Sequence, residues 1–412
     1  MKHLLILGAG TAGTMVANRM VHKLPEKEWT VTVVDPETTH LYQPGLLFLP
    51  FGNHEENELV RPREHTLHDG VTWVREAVEA VDASKRSVRL ASGTELPYDI
   101  LVIASGSRIR PDLTEGMTGE GWRRTVFDFY SLDGAVALRE ALENFKGGRL
   151  VLNVVEMPIK CPVAPLEFAF LADDFFRKKG MREGVEIVYA TPLDAAFTKP
   201  IAAARLGHLL EEKGIRVEKE FSCGSVDGAA RKLSSYDGRD IDFDLLVTIP
   251  THSGAGFVET SGLGNELGFI PTDKHSLVAK GLENVFVVGD ATDVPASKAG
   301  SVAHFEAETL VENLERMAKG ESLVSTFDGH ANCYVETGNG KALLIDFNYD
   351  VEPLPGKYPL PGIGPFSLLE ESRINHMGKL AFRWIYWNGL LPGRPIPVPA
   401  HMSMAGKERV ES

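Results

Sequence analysis

Only three of the 412 residues are cysteine (Cys161, Cys223 and Cys333). That is too few for a disulfide scaffold, so a functional thiol here is redox or catalytic. Positive charge is also scarce: 43 Lys and Arg stand against 57 Asp and Glu, a formal net charge of −14. A nucleic-acid binder needs a basic face, and this balance excludes one. No apolar run approaches the roughly 18 residues of a membrane-spanning helix. Repeats and low-complexity tracts are absent, and the sequence enters a strand at once, so no cleavable signal peptide is expected in this form of the chain. What is present is 43% apolar residues, enough for a large core spread over two or three domains.

The sharpest motif comes first. KHLLILGAGTAGTMVANRM contains an apolar strand (Leu4–Leu7), then Gly8-Ala9-Gly10-Thr11-Ala12-Gly13, then a helical pattern through Met15, Val16 and Met20. A second strand, WTVTVVD, ends at Asp35, 22 residues after Gly13. The first glycine permits a tight turn, the second lets backbone approach a pyrophosphate, and the third lets helix and strand pack closely. The helix N-terminus offers free N–H groups to phosphate, and Asp35 can accept hydrogen bonds from a ribose. This is a dinucleotide-binding unit.

Two later segments bear on which dinucleotide it is. PYDILVIASGSRIRP (97–111) is a buried strand leading to Ala104, Ser105 and Gly106, and GLENVFVVGDATDVPASKAGSVAHFEAETLVENL (281–314) a strand ending at Gly289-Asp290 before a long helix. Both resemble the later FAD-contacting segments of glutathione-reductase-like flavoproteins. The resemblance implies that Asp290 binds the ribityl–phosphate side and that the next helix points its N-terminus at the isoalloxazine. Gln43 and Val78 complete the candidate cofactor set. The expected fold is α/β, with two Rossmann-like domains of glutathione-reductase type. The first, residues 1–110 and 280–330, is discontinuous and binds FAD; the second is 111–279; a C-terminal region spans 331–412.

The second unit lacks something its relatives have. Its strands are expected at 148–155, 185–190, near 215–217 and at 242–250, but after Val155 come Glu156, Met157 and Pro158 instead of glycines. Bulky side chains and prolines, which carry no N–H, cannot cradle a pyrophosphate. Electrons must therefore reach the flavin from a source other than a nicotinamide. In that loop lies Cys161, between Pro158 and Pro162 and just before a helix expected over 166–176. A thiol near a helix N-terminus has its pKa lowered; the alternative is a buried small hydrophobe, the common fate of a free cysteine. Cys333, in the polar, glycine-flanked FDGHANCYVETGNG, is the other candidate redox thiol, and Cys223 is read as structural.

MPIKCPVAPLEFAF with FRKKG downstream, VPASKAGSVA after Gly289-Asp290, and FDGHANCYVETG followed by IDFNYDVEPLP together resemble the sulfide:quinone oxidoreductase family. That family includes the flavin subunit of flavocytochrome c sulfide dehydrogenase. The resemblance implies a redox disulfide between Cys161 and Cys333 beside FAD, oxidation of hydrogen sulfide, and delivery of two electrons to a quinone. Glu167 matches a family acid near the flavin, where it can hold the ring or handle protons; helix-start glutamates are also common simple caps. Lys298 matches a lysine facing the flavin, and Lys379 one near the quinone pocket. The chain departs from the pattern in two places. Where many bacterial members carry a third cysteine it has Asp128, Phe129 and Tyr130, which favours a two-cysteine cycle handing sulfur to a small acceptor. The family's catalytic histidine has no counterpart in LDAAFTKP (193–200).

Near the C-terminus, INHMGKLAFRWIYWNGLLPGRP places Met377, Leu380, Ala381, Trp384 and Ile385 at helical spacing, with Lys379 and Arg383 on another face. From Arg373 to the end six Lys and Arg face two Glu. A basic, aromatic, amphipathic segment of this kind suits a membrane interface, so peripheral, monotopic membrane association is expected. A homo-oligomer is left open. A flavin subunit that reduces a cytochrome and a non-catalytic flavin–disulfide sensor are the alternatives. A type II NADH dehydrogenase is a further rival, disfavoured by the missing second glycine loop.

Overall fold

The computed structural model describes residues 1–396 and 398–409. Four helices matter to the site: α1 (Thr11–Lys23), α2 (Ala164–Lys178), α3 (Gly300–Lys319) and α4 (Arg373–Ile385). The first unit is built on a five-stranded parallel sheet. Its strand order runs Val285–Val287, Ile100–Ile103, Lys2–Leu7, Trp29–Val34, Val71–Val74. Lys2–Leu7 occupies the centre, pairing Leu4 with Val31 on one side and with Ile100 on the other. A central parallel strand is covered on both faces, which is why it reads as an unbroken apolar run. Leu4 and Ile6 join the main core with α1 and α3, while Leu5 and Leu7 pack with Val81, Val88 and Leu90 of a three-stranded antiparallel sheet.

The second unit repeats the plan. Its parallel sheet runs Val126–Phe127, Leu245–Ile249, Gly148–Val154, Val185–Ala190, Arg216–Glu218. Strand ends differ by a few residues from the sequence reading. The expected 242–250 strand begins at Leu245, because Asp240–Asp242 belongs to a separate antiparallel sheet. The stretch 97–111 breaks into three short pieces around Ile100–Ile103. The helix expected over 166–176 spans Ala164–Lys178, since Pro165 sits in the first turn, where its missing N–H costs nothing. Contacts of the first unit resume upstream of residue 280: His252–Ser253 pairs with Arg108–Ile109, and the Ser261 hydroxyl accepts from the Val81 N–H at 2.8 Å.

The C-terminal region is a four-stranded sheet, ordered Ala331–Gly338, Lys341–Phe347, Gly364–Leu368, Gly356–Leu360. Its edge strand Ala331–Gly338 packs against α2, and α4 crosses its face. Asn375 stitches α4 down, its side-chain amide donating to Ser367 O at 2.7 Å and Ala342 O at 3.1 Å. Among the described residues no helix is long and apolar enough to cross a membrane.

Candidate active site

A cavity of about 510 Å³ runs between the three regions. Of the residues singled out from sequence, Gly8, Gly10, Thr11, Ala12, Asp35, Gln43, Ala104, Gly106, Gly289, Asp290, Lys298, Cys161, Glu167 and Lys379 line it. Gly13, Val78 and Cys333 are not among the lining residues. Val78 opens the three-stranded sheet on the far side of the first unit. Gly13 acts in packing, because a Cβ there would lie 2.0 Å from Gly8 O. Gly10 is the reverse case: a Cβ would meet no protein atom within 4 Å, yet the residue faces the cavity.

The first unit fits a dinucleotide. Gly10 caps α1 without a side-chain bond, and no acidic residue occupies the helix's first turn. Its free N–H groups therefore stay available to an anion. Asp35 holds the loop as well as facing the cavity: its Oδ2 accepts from the Ala9 N–H at 2.6 Å and its Oδ1 from the Glu37 N–H at 2.9 Å. Buried Arg63, unnoticed in the sequence, clamps the same loop through Ala9 O, Glu37 O at 2.7 Å and Thr39 O at 2.8 Å. Ser107 donates to Asp290 Oδ2 at 3.1 Å, tying the two later cofactor segments together.

Tyr386 closes this end from the C-terminal region. Its hydroxyl lies 2.8 Å from Thr11 Oγ1 and 2.6 Å from His40 Nε2. Burial and nearby Arg63 drive His40 down to about 3, so it is a neutral hydrogen-bonding partner at physiological pH.

Cys161 occupies a backbone position that side chains rarely adopt, with φ +47°. Such a conformation costs about 1–3 kcal/mol and persists only when its surroundings enforce it. Here the Cys161 N–H donates to Lys298 O at 2.6 Å, and its carbonyl accepts from Ala164 N at 2.8 Å and from the Tyr130 hydroxyl at 3.4 Å. The residues standing where a third cysteine was sought have other work. Asp128 pairs with Arg123 at 2.7 Å and accepts from the N–H groups of Tyr130 and Ser131. Phe129, stacked on Phe168 at 4.8 Å, and Tyr130 form cavity wall. The Tyr130 ring meets the buried His252 edge-on at 5.2 Å.

Glu167 and Lys379 form a buried ion pair, Nζ to Oε1 2.6 Å, with side-chain exposures of 0% and 15%. Lys379 also donates to Tyr334 O at 2.8 Å, and Glu167 Oε1 accepts from the Glu336 N–H at 2.8 Å. Glu167 Oε2 is buried and has no partner among the described residues. Lys298 is buried too, but its ammonium is engaged by the carbonyls of Asp290 and Thr292 at 2.9 and 2.7 Å.

Both Cys161 and Cys333 are free thiols, and Cys333 Sγ lies 4.0 Å from Ser301 Oγ at the start of α3. The helix-start position of Cys161 predicts a lowered pKa. The structure reverses this, because burial pushes the thiol well up, with the Glu167 carboxylate and then Cys333 adding to the rise. Cys161 sits three residues ahead of α2 in a closed setting, where loss of water outweighs the helix dipole. Cys333 is pushed up to about 11 for the same first reason. Lys379 pulls both back down.

A glycine-cradled dinucleotide cleft with the thiol of Cys161 in its wall is the arrangement of the two-domain flavin-dependent oxidoreductases. Residues 2–155 match the pyridine nucleotide-disulphide oxidoreductase family. Along nearly its whole length the chain is similar to sulfide:quinone oxidoreductases. It is 26% identical over 396 residues to the mitochondrial sulfide:quinone oxidoreductase of Mus musculus, covering 94% of this chain and 86% of that one. The corresponding protein of Dictyostelium discoideum is 25% identical over 397 residues, covering 95% and 86%. In fold it resembles the sulfide:quinone oxidoreductase of Aquifex aeolicus, with a TM-score of 0.79 at 17% identity over 96% of this chain and 92% of that one.

Proposed function

We propose that this chain is an FAD-dependent sulfide:quinone oxidoreductase working through a Cys161–Cys333 pair. One observation carries the reading: Cys161 lines the dinucleotide cleft beside the Glu167–Lys379 ion pair, and Lys379 donates to the carbonyl of Tyr334, the residue after Cys333, 172 positions along the chain from Cys161. In the oxidised enzyme hydrosulfide attacks the disulfide, forming a persulfide on one cysteine and releasing the other as a thiolate, as in thiol–disulfide exchange. Lys379 supplies the positive charge that offsets the cost of a buried thiolate at either sulfur. The persulfide sulfur passes to a small acceptor. When bound, FAD takes up the two electrons and returns them to a quinone. Gly8, Gly10, Thr11 and Ala12 would hold its pyrophosphate, Asp290 its ribityl side, and the N-terminus of α3, at Ala299 and Gly300, its ring end.

The quinone reaches this site from a membrane surface. On α4, Met377 is 66% exposed and Trp384 70%, and Ile363 at the turn of the hairpin 356–368 is 79% exposed. Lys379 and Arg383 point inward, Arg383 meeting Glu58 at 2.9 Å. An apolar face of this kind, left bare by its own protein, suits insertion into the headgroup boundary.

Anaerobic titration with sulfide tests the reading. The wild-type flavin is expected to bleach on about one equivalent per site, and Cys161→Ser and Cys333→Ser to stay yellow. Bleaching that persists in both variants removes the disulfide from the mechanism. NADH outpacing sulfide would restore a nicotinamide to the second unit.

A further inference from the structure

Glu336 is 1% exposed, on the edge strand between α2 and α4. Its N–H is given to Glu167, while its carboxylate faces α4, where His376 Nδ1 lies 2.9 Å from both oxygens. A buried carboxylate held for structure usually gathers several donors or a lysine or arginine. This one has a single hydrogen-bonding neighbour among the described residues, and that neighbour is a histidine. The charged groups facing it are His376 and Lys379 from α4 and Glu167 from α2. Burial, the largest influence, lifts its carboxyl to about 7.

The pair is placed to carry protons. The His376 side chain is 27% exposed and so reaches water, and it precedes Lys379 by three residues, one turn of the same helix. Beyond Glu336 come Lys379 and Glu167, whose unpartnered Oε2 is the last buried oxygen of the series; both residues line the cavity. Water, imidazole and carboxylate thus succeed one another inward from the surface, and the Glu336 N–H, bonded to the same Glu167 oxygen that Lys379 holds, sets this carboxylate beside the ion pair. We infer that His376 and Glu336 are the proton inlet to the Glu167–Lys379 pair, supplying the proton that quinol formation draws from water.

This inference rests on the quinone-reducing reading. The stoichiometry requires such an inlet: HS⁻ + quinone + H⁺ gives sulfane sulfur, taken by the acceptor, and quinol. Two electrons leave sulfur and reduce the quinone, and one proton per turnover comes from outside. His376 and Glu336 act through the Glu167–Lys379 pair and do not touch substrate, so they are positioning residues.

The test uses full-length holoenzyme and separates the two half-reactions by stopped flow between pH 6 and 9. One half is sulfide-driven bleaching and the other reoxidation by decylubiquinone. Glu336→Gln keeps side-chain shape and the hydrogen bond from the backbone N–H to Glu167; His376→Gly opens a space for added imidazole. Reoxidation is expected to slow about 10²-fold, the low end for a positioned proton donor, and to lose its pH dependence, with bleaching retained. Imidazole should restore most of the rate in His376→Gly alone. Independently of turnover, infrared spectra taken between pH 6 and 9 should show a protonated carboxyl band that is lost as pH rises in wild type and is missing from Glu336→Gln. Unchanged reoxidation, or equal slowing of both halves with no imidazole rescue, overturns the inference. Wild-type enzyme that bleaches with sulfide but never reoxidises with quinone overturns the functional reading instead.

Discussion

Replacing Lys379 with methionine leaves most of the side chain's volume and removes its charge. Two donated bonds go, to Glu167 Oε1 at 2.6 Å and Tyr334 O at 2.8 Å. Glu167 would keep only the Glu336 N–H, with its side chain 0% exposed and Oε2 still unpartnered. Breaking a buried ion pair from one side costs about 3–5 kcal/mol when the remaining charge stays ionised. The carboxylate has a cheaper course, which is to take up a proton. Burial already raises its pKa against the downward pull of Lys379, so losing the lysine raises it further.

A carboxyl whose folded pKa lies above its unfolded one costs nothing below the unfolded value. Its penalty then grows by about 1.4 kcal/mol per pH unit up to the folded pKa. Relative to wild type, Lys379→Met should therefore lose roughly 1 kcal/mol at pH 5, mostly from the Tyr334 carbonyl. Between pH 5 and 7 the deficit should widen, by no more than about 3 kcal/mol, because the carboxyl of wild-type Glu167 is itself raised by burial and shares part of the penalty. Urea unfolding followed by tryptophan fluorescence at both pH values measures this. The double variant Lys379→Met, Glu167→Gln should recover most of the pH 7 loss. A deficit equal at both pH values, or a double variant no more stable than the single one, would refute the reasoning.

Three further expectations follow from named contacts. Gly10→Val should give a folded protein that purifies without flavin, whereas Gly13→Ala should unfold at markedly lower urea, because only the second Cβ strikes backbone; absorbance at 450 nm and circular dichroism separate the two. Met377→Ser with Trp384→Ser should abolish flotation with anionic vesicles yet leave sulfide bleaching intact, since both side chains are exposed. Tyr130→Phe removes the hydroxyl bond to the Cys161 carbonyl and should slow sulfide bleaching a few-fold without loss of flavin; an unchanged rate would mean that the other two backbone bonds hold Cys161 alone.

The parts legible in the sequence are those decided locally. A buried parallel strand must be apolar throughout, and a glycine turn before a helix has few other uses, so Leu4–Leu7, Gly8–Gly13 and Asp35 announce themselves. The resemblance located Glu167 and Lys379, but not that they touch. Their contact spans 212 residues and depends on how the edge strand 331–338 is sandwiched. His376 and Glu336 carried no signal, since a histidine and a glutamate 40 residues apart are ordinary until one helix crosses one strand. Arg63 escaped notice for the same reason. The ionisation of Cys161 was misjudged because sequence shows the helix start and hides the burial that outweighs it.

The hydroxyl bond from Tyr386 to Thr11 joins residues 375 positions apart, so the cleft has walls from widely separated segments. During synthesis at about 5–20 residues per second, the phosphate cradle waits roughly 20–75 s for its last wall. Flavin loading is thereby placed after translation of Tyr386. A ribosome that stalls late releases a product unable to keep its prosthetic group, however well the first sheet has formed.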